Sequence, residues 1–376
     1  MMKRFLKLMF FPVLLLVVGC SSSDDKSNST GENKDDFDRS AMLENWADNI
    51  IIPSFENFSD TSQALEEASL KFTQDPTSTN LTKLREAYKT AYIQYQTVSL
   101  FEIGKAEMLN YRNNLNTYPV DSQAINDKIK TGEINLELPS AMDEQGFPAL
   151  AYLLYGLAGT DAEILEHYSN NSNASAYKNY LQKVAQRINS LTTEVLSDWE
   201  QSFRDQFVNN TSSSSTGAVD RLTNDYIMYY EKFLRAGKIG IPAGVFSGNP
   251  VPRNVEAYHS AELSKQLYLK SLESVQDFFL GKHFGANGNG LSYDDYLDYL
   301  NTIKNGEDLS KLINTQFDTV AQQASGLNEN FVTQIQVDNS KMLTAYDELQ
   351  KNVVLLKVDM VQALSISIDY VDSDGD

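Results

Sequence analysis

One cysteine, Cys20, in 376 residues leaves no internal disulfide and no cysteine-based metal cluster. Histidine is nearly as scarce, with only His167, His259 and His283. There is no His-Glu-x-x-His and no Gly-x-Ser-x-Gly, which removes the usual zinc-protease helix and the usual hydrolase nucleophile elbow. The two tryptophans, Trp46 and Trp199, fall on helical core stripes, so glycan-stacking platforms would have to be tyrosines. Positive charge is short as well: 31 Lys and Arg face 51 Asp and Glu, a formal −20, which disfavours nucleic acid and anionic membrane surfaces as partners. Strict apolar–polar alternation is rare, so no substantial sheet is expected and the fold reads as all-α.

The N-terminus reads as an address. Lys3, Arg4 and Lys7 make a basic start to an apolar run over 6–18, too short for an ordinary spanning helix. The run ends in Val17-Val18-Gly19-Cys20, a lipobox-like ending, so 1–19 is expected to be a lipoprotein signal peptide and Cys20 the lipidated first residue. Residues 21–36, SSSDDKSNSTGENKDD, hold nothing apolar and read as a tether. Asp24-Asp25 resembles acidic signals that some lipoproteins use to reach the outer surface. The expected location is the outer membrane, periplasmic or surface-exposed, with the lipid as the membrane contact.

From Phe37 the apolar spacing is helical. Ser40 is placed to cap a first helix carrying Met42, Leu43, Trp46 and Ile50 to Pro53. Asn80 or Thr79 is placed to cap a longer one with Leu81, Leu84, Tyr88, Tyr92, Tyr95 and Val98, whose tyrosines read as packing residues. A long amphipathic helix is expected over 177–207, and the polar NNTSSSSTG after it is the best internal boundary. The expected organisation is a bundle half at 37–208, a linker at 209–218 and a second half at 219–376. Within the second half, helices are expected over 254–280 and 340–370.

Chemistry is sparse along this chain. The central stretch, DEQGFPALAYLLYGLAG at 143–159, joins a loop to an apolar helix, with Pro148 tolerated in its first turn. Arg112 is either a ligand-facing cation or a salt-bridge partner. Arg235 and Lys238 lie in RAGKIGIPAG, read as a Gly-rich basic loop that either receives an anion or pairs with carboxylates. Tyr258, His259, Ser260 and Glu262 follow, and three-residue spacing would put His259 and Glu262 on one helix face, as a metal pair or as a hydrogen-bonded helix end. Asp372, Asp374 and Asp376 have the oxygen chemistry for a cation but no loop to complete the shell.

Taken in order, NWADNIIIPSFENF, DPTSTNLTKLREAYKTAYIQYQTVSLFEIG, YRNNLNTYPVD, GFPALAYLLYG, RAGKIGIPAG, AYHSAELS, GNGLSYDDYLDYL and DYVDSDGD resemble the imelysin family of exported bacterial proteins over most of the mature chain. The resemblance implies an all-helical protein of two bundle halves that look like a duplication, with a site in the cleft between them. It also implies an association with iron uptake; some members are described as peptidases. The family's hallmark is Gly-x-His-x-x-Glu, and the matching positions here are Gly146, Pro148 and Ala151. Proline offers no metal donor and alanine no side-chain oxygen, so the motif's own chemistry is gone, which weighs against peptidase activity. By analogy, the cleft would draw on Arg112, Gly146, Pro148, Tyr152, Arg235, Lys238, Tyr258 and Ser260, with His259 and Glu262 as metal candidates. The reading this supports is an envelope lipoprotein that binds without catalysis in iron or haem acquisition, with envelope iron-uptake proteins as partners. The alternatives are a hydrolase with a non-standard site, a partner-docking lipoprotein, and a glycan binder.

Overall fold

Several helices in this protein start where short polar side chains take up the free backbone N–H groups of a first turn. In the computed structural model, which describes residues 36–370, Asp38 accepts from the Ala41 N–H at 3.0 Å and Asp121 from the Ala124 N–H at 2.9 Å. Thr160 and Glu163 form a reciprocal capping box. Two starts differ from expectation. Asp38, not Ser40, caps the first helix, and Thr77 caps the helix Ser78–Tyr95. Asn80 sits one turn in and donates to the Asp75 carbonyl at 2.8 Å.

The first helix also runs straight through Pro53, continuing as Ile52–Gln74 after a stretch of wider turns at Asn45–Ile51. A mid-helix proline lacks the N–H that would bond four residues back, at Asn49. Here the Asn49 carbonyl accepts instead from the distant Phe284 N–H at 2.8 Å. The helix therefore continues past the proline with that carbonyl satisfied, and a loop from the second half of the chain is tied to it.

Helix Ile52–Gln74 packs on Ser78–Tyr95 and on Ala174–Asp198, burying Phe55, Phe58, Leu65 and Phe72 completely. Each such side chain removed from water contributes about 1.5–3 kcal/mol. Farther along, Ser340–Val354 packs on Tyr229–Gly240 and Leu309–Ala324, and Leu309–Ala324 also meets Ser264–Phe279. The buried apolar residues of both sets form one continuous core. Two contacts between early and late segments place the site: Ser264–Phe279 touches Ser78–Tyr95, and Gly146–Ala151 touches Tyr258–Leu263.

The fold is all-α. Among the described residues the strands are two-residue pieces, Ile303–Lys304 against Glu307–Asp308. Polar residues 210–216 form an exposed turn closed by the Ala218 N–H on the Asn210 carbonyl. Several late expectations need correction. The segment 235–240 is not a loop but part of the wide-turn helix Tyr229–Gly240. The helix expected from 254 begins at Ser264. The last helix ends at Ala363; beyond it Asn224 bonds the backbone of Ser367 and Asp369, and the Tyr370 hydroxyl donates to Glu231 at 2.8 Å. Cys20 and the aspartates at 372, 374 and 376 lie outside the described residues.

Candidate functional site

Helix Gly146–Ala151, with its continuation Tyr152–Gly156, is held by its apolar side chains. Leu150, Leu153 and Leu154 are fully buried, and the Phe147 ring stacks on Tyr92 at 4.4 Å with the planes 2° apart. Gly146 has φ +71, and a Cβ there would stand 2.1 Å from the Leu115 carbonyl oxygen, so only glycine fits. This packing leaves Pro148 and Ala151, three residues apart on one face, lining a pocket of about 270 Å3.

The opposite wall comes from 253–259, where the chain does not form the expected α-helix. Tyr258–Leu263 is a short, tight helix broken at Ser260, whose φ of −125 and ψ of 45 are non-helical. The break separates the two proposed metal ligands. His259 lines the pocket; Glu262 is exposed and accepts from the Asn330 amide at 3.0 Å. Tyr152 lies behind His259, with ring centroids 5.2 Å apart, and its hydroxyl is fixed by the Asn126 amide at 2.7 Å. Burial pushes the His259 imidazole below its ordinary pKa, favouring the neutral ring. Among the described residues no three His, Cys, Asp or Glu side chains converge as a metal site.

The rest of the pocket is supplied by Tyr118, Ser122, Arg253 and Tyr258, together with small apolar residues. None of the side chains of Tyr118, Ser122, Arg253, Tyr258 and His259 hydrogen-bonds to, or forms an ion pair with, another described residue. Arg253 and Tyr258 are exposed, Tyr258 to 42 %. Among the described residues no carboxylate lines the space. Five polar side chains lining one concavity, with no hydrogen-bond or ion-pair partner among the described residues, are what a binding site presents before its ligand arrives.

The other residues suggested by sequence are occupied elsewhere, for one general reason: a buried charge or hydroxyl needs a partner. Lys238 is 3 % exposed and forms an ion pair with the buried Glu256. Gln96 accepts from Lys238 at 2.9 Å and from Ser271 at 2.8 Å, while Asn116 donates to Glu256 at 2.8 Å. The Tyr92 hydroxyl donates to Asn116 at 2.6 Å, so this network underlies the pocket's second wall, next to Val255 and Ala257. Ser260 is buried and shares a hydrogen bond of 3.0 Å with Tyr88. Arg235 is 1 % exposed, near Glu231 and bonded to Tyr346 at 2.9 Å.

Arg112 likewise takes the salt-bridge reading. It donates to Asp225 at 2.8 Å and to the Ser99 carbonyl at 2.6 Å, with the Phe233 ring 4.6 Å from its guanidinium. Burial pushes its neighbour Glu102 up to about 7; Asp225 adds to that shift, and Arg112 partly offsets it. Burial also raises Asp225. These groups border a separate acidic depression of about 200 Å3 with Glu107, Arg221 and Asp369.

Sequence reading reached Pro148, Tyr258 and His259 but missed Tyr118, Ser122 and Arg253. The one available signal was the placement of Arg253 in Pro250-Val-Pro-Arg-Asn254, where two prolines keep the chain out of a long helix and leave the arginine at a surface turn.

Comparison with known proteins agrees with this architecture. The imelysin profile, also designated peptidase M75, matches residues 51–356. Iron-regulated protein A of Synechococcus elongatus is 25% identical over 113 residues, which is 30% of this chain and 31% of that protein, so less than a third of that relative is spanned. The crystal structure of an imelysin-like protein from Psychrobacter arcticum 273-4 superposes with a TM-score of 0.68 at 16% identity, covering 88% of this chain and 97% of the other. That of a candidate iron-regulated protein A precursor from Parabacteroides distasonis ATCC 8503 gives 0.68 at 18% identity, covering 86% and 95%. The profile match extends over most of the sequence, and the chain belongs to the imelysin family.

Proposed function

We propose that this chain is a binding protein of iron acquisition that works without catalysis, held in the cell envelope through Cys20. The observation that carries the binding reading is the pocket beside Pro148 and Ala151, whose five polar side chains have no hydrogen-bond or ion-pair partner among the described residues. The iron association is inferred from the names of the relatives. The envelope location is inferred from the signal-like N-terminus and Cys20.

The pocket chemistry favours binding over hydrolysis. A hydrolase needs a nucleophile or an activated water next to a base oriented by a third group. His259 has no carboxylate or hydroxyl hydrogen-bonded to it among the described residues. The neighbouring phenol Tyr118 is held well above its ordinary pKa by burial, so it is no base near neutrality. At about 270 Å3 the space lies just below the ~300–1,000 Å3 of typical drug-sized sites, which suits a compact iron-bearing ligand better than a porphyrin.

Calorimetric titration of the full chain with ferrous iron, ferric citrate, zinc and hemin, with metal analysis after desalting, tests this. One iron-bearing ligand is expected to bind stoichiometrically, and a mixed peptide library is expected to stay uncut. Absence of every iron species beyond loose uptake by an acidic protein would overturn the iron assignment. Peptide turnover lost in His259→Ala would favour the hydrolase alternative.

A further inference from the structure

Resting on the reading that this pocket is the binding site, we infer that its ligand is a compact polycarboxylate anion, free or as a ferric chelate, and that Arg253 is the residue that selects it. Bare metal cations are captured by anionic or neutral donors that converge: carboxylates for hard ions, imidazoles or thiolates for softer ones. Among the described residues no carboxylate lines the pocket, and His259 is the one imidazole there. Its remaining polar groups are the Arg253 guanidinium, a donor only, and the hydroxyls of Tyr118, Ser122 and Tyr258, which can donate. That set complements an oxygen-rich anion and leaves a bare cation short of ligands.

Arg253 stands out because of the chain it belongs to. Arg85, Arg112, Arg204 and Arg221 each pair with a carboxylate. Arg187 has no ion pair but donates to the side chains of Gln145 and Asn114, whereas Arg253 has neither an ion pair nor a side-chain hydrogen bond to any described residue. The closest acid in sequence on that wall, Glu256, is already neutralised by Lys238 and bonded to Asn116. Surface carboxylates elsewhere repel an anion only weakly, since fields are screened over about 8 Å at physiological salt. Arg253 therefore dominates the local potential, and its planar fork fits a carboxylate with two parallel hydrogen bonds. A polycarboxylate that holds ferric iron would be carried by its own oxygens, so the protein need not ligate the metal.

The test is calorimetry on the full chain with citrate, ferric citrate and ferrous ion as separate probes, repeated in Arg253→Gln and in Arg221→Gln as a charge control. Arg253 is exposed, so its substitution should leave the circular dichroism and melting curve unchanged. The expected result is binding of citrate or ferric citrate, weakened roughly 10- to 100-fold in Arg253→Gln, weakened by added salt, and unaffected in Arg221→Gln. Citrate binding of this kind without any iron species would support the anion inference while removing the iron assignment. Stoichiometric ferrous binding that is unchanged or tightened in Arg253→Gln would overturn the inference while leaving the iron assignment standing. Failure of both citrate and ferric citrate to bind would also overturn it.

Discussion

The His259 ring rests on Gly156: a Cβ added at position 156 would stand 2.5 Å from Nδ1. The glycine that ends the wide-turn helix thus makes room for the imidazole on the far wall. Gly156→Ala gains up to about 1 kcal/mol in helix propensity, but the ring must move to admit the methyl group. The expected outcome is a melting temperature within a few degrees of wild type and a clear loss of ligand affinity, read by calorimetry. Unchanged affinity would mean that His259 has no part in binding.

Gly146 is a harder constraint. A side chain at φ +71 costs on the order of 1–3 kcal/mol in strain alone, and the atom in the way is backbone, the Leu115 carbonyl oxygen. Gly146→Ala is expected to destabilise the protein by more than about 2 kcal/mol in urea unfolding. A near-neutral result would show that the 114–116 segment can retreat.

Removing Lys238 strands the Glu256 carboxylate in the interior. Lys238→Met is expected to cost about 3–5 kcal/mol, and adding Glu256→Gln should recover a good part of it. A double mutant no better than Lys238→Met would show that the amides of Gln96 and Asn116 carry the network, not the charge pair.

The Glu102 cluster makes stability depend on pH. With its folded pKa raised to about 7, Glu102 keeps a proton in the native state that the unfolded chain has already lost. Its contribution is therefore present in full below the usual carboxylate range and is lost as pH rises through about 7. Glu102→Gln, which can still accept from the Arg112 N–H, is expected to be the more stable form at about pH 8, by on the order of 1–3 kcal/mol, and to differ little at about pH 4. Urea midpoints at the two pH values check this; a variant weakened equally at both would contradict it.

Pro148 and Ala151 share the pocket face with His259 opposite, so the His and Glu that the imelysin resemblance implies at these two positions can be introduced into a shaped site. The double substitution Pro148→His and Ala151→Glu is expected to bind zinc more tightly than the wild type, and His259→Ala should then weaken it. Metal analysis after desalting decides. No gain would mean that the two positions do not converge with His259.

Much of this was readable in the chain. The helical stripe of Tyr88, Tyr92 and Tyr95 and the apolar run after Pro148 depend on local spacing, and both proved to be core. The interruption at Ser260 was not readable, because it is settled by the Ser260–Tyr88 hydrogen bond across 172 positions. For Lys238 the sequence left an anion ligand and a carboxylate partner both open; that the partner is Glu256 was not readable for the same reason, as tertiary folding brings it there. Arg235 was closer to legible, since Glu231 lies one helical turn before it. Arg253 drew no notice because an exposed arginine is ordinary; only the absence of a partner and the presence of a pocket distinguish it.

A ferric citrate titration of the full chain, followed by desalting and iron analysis, beside the Arg253→Gln variant, bears most directly on whether this pocket binds iron as an anionic chelate. Stoichiometric iron is expected to be retained by the wild type and largely lost from the variant. No retained iron in the wild type, or equal retention in both, would contradict it.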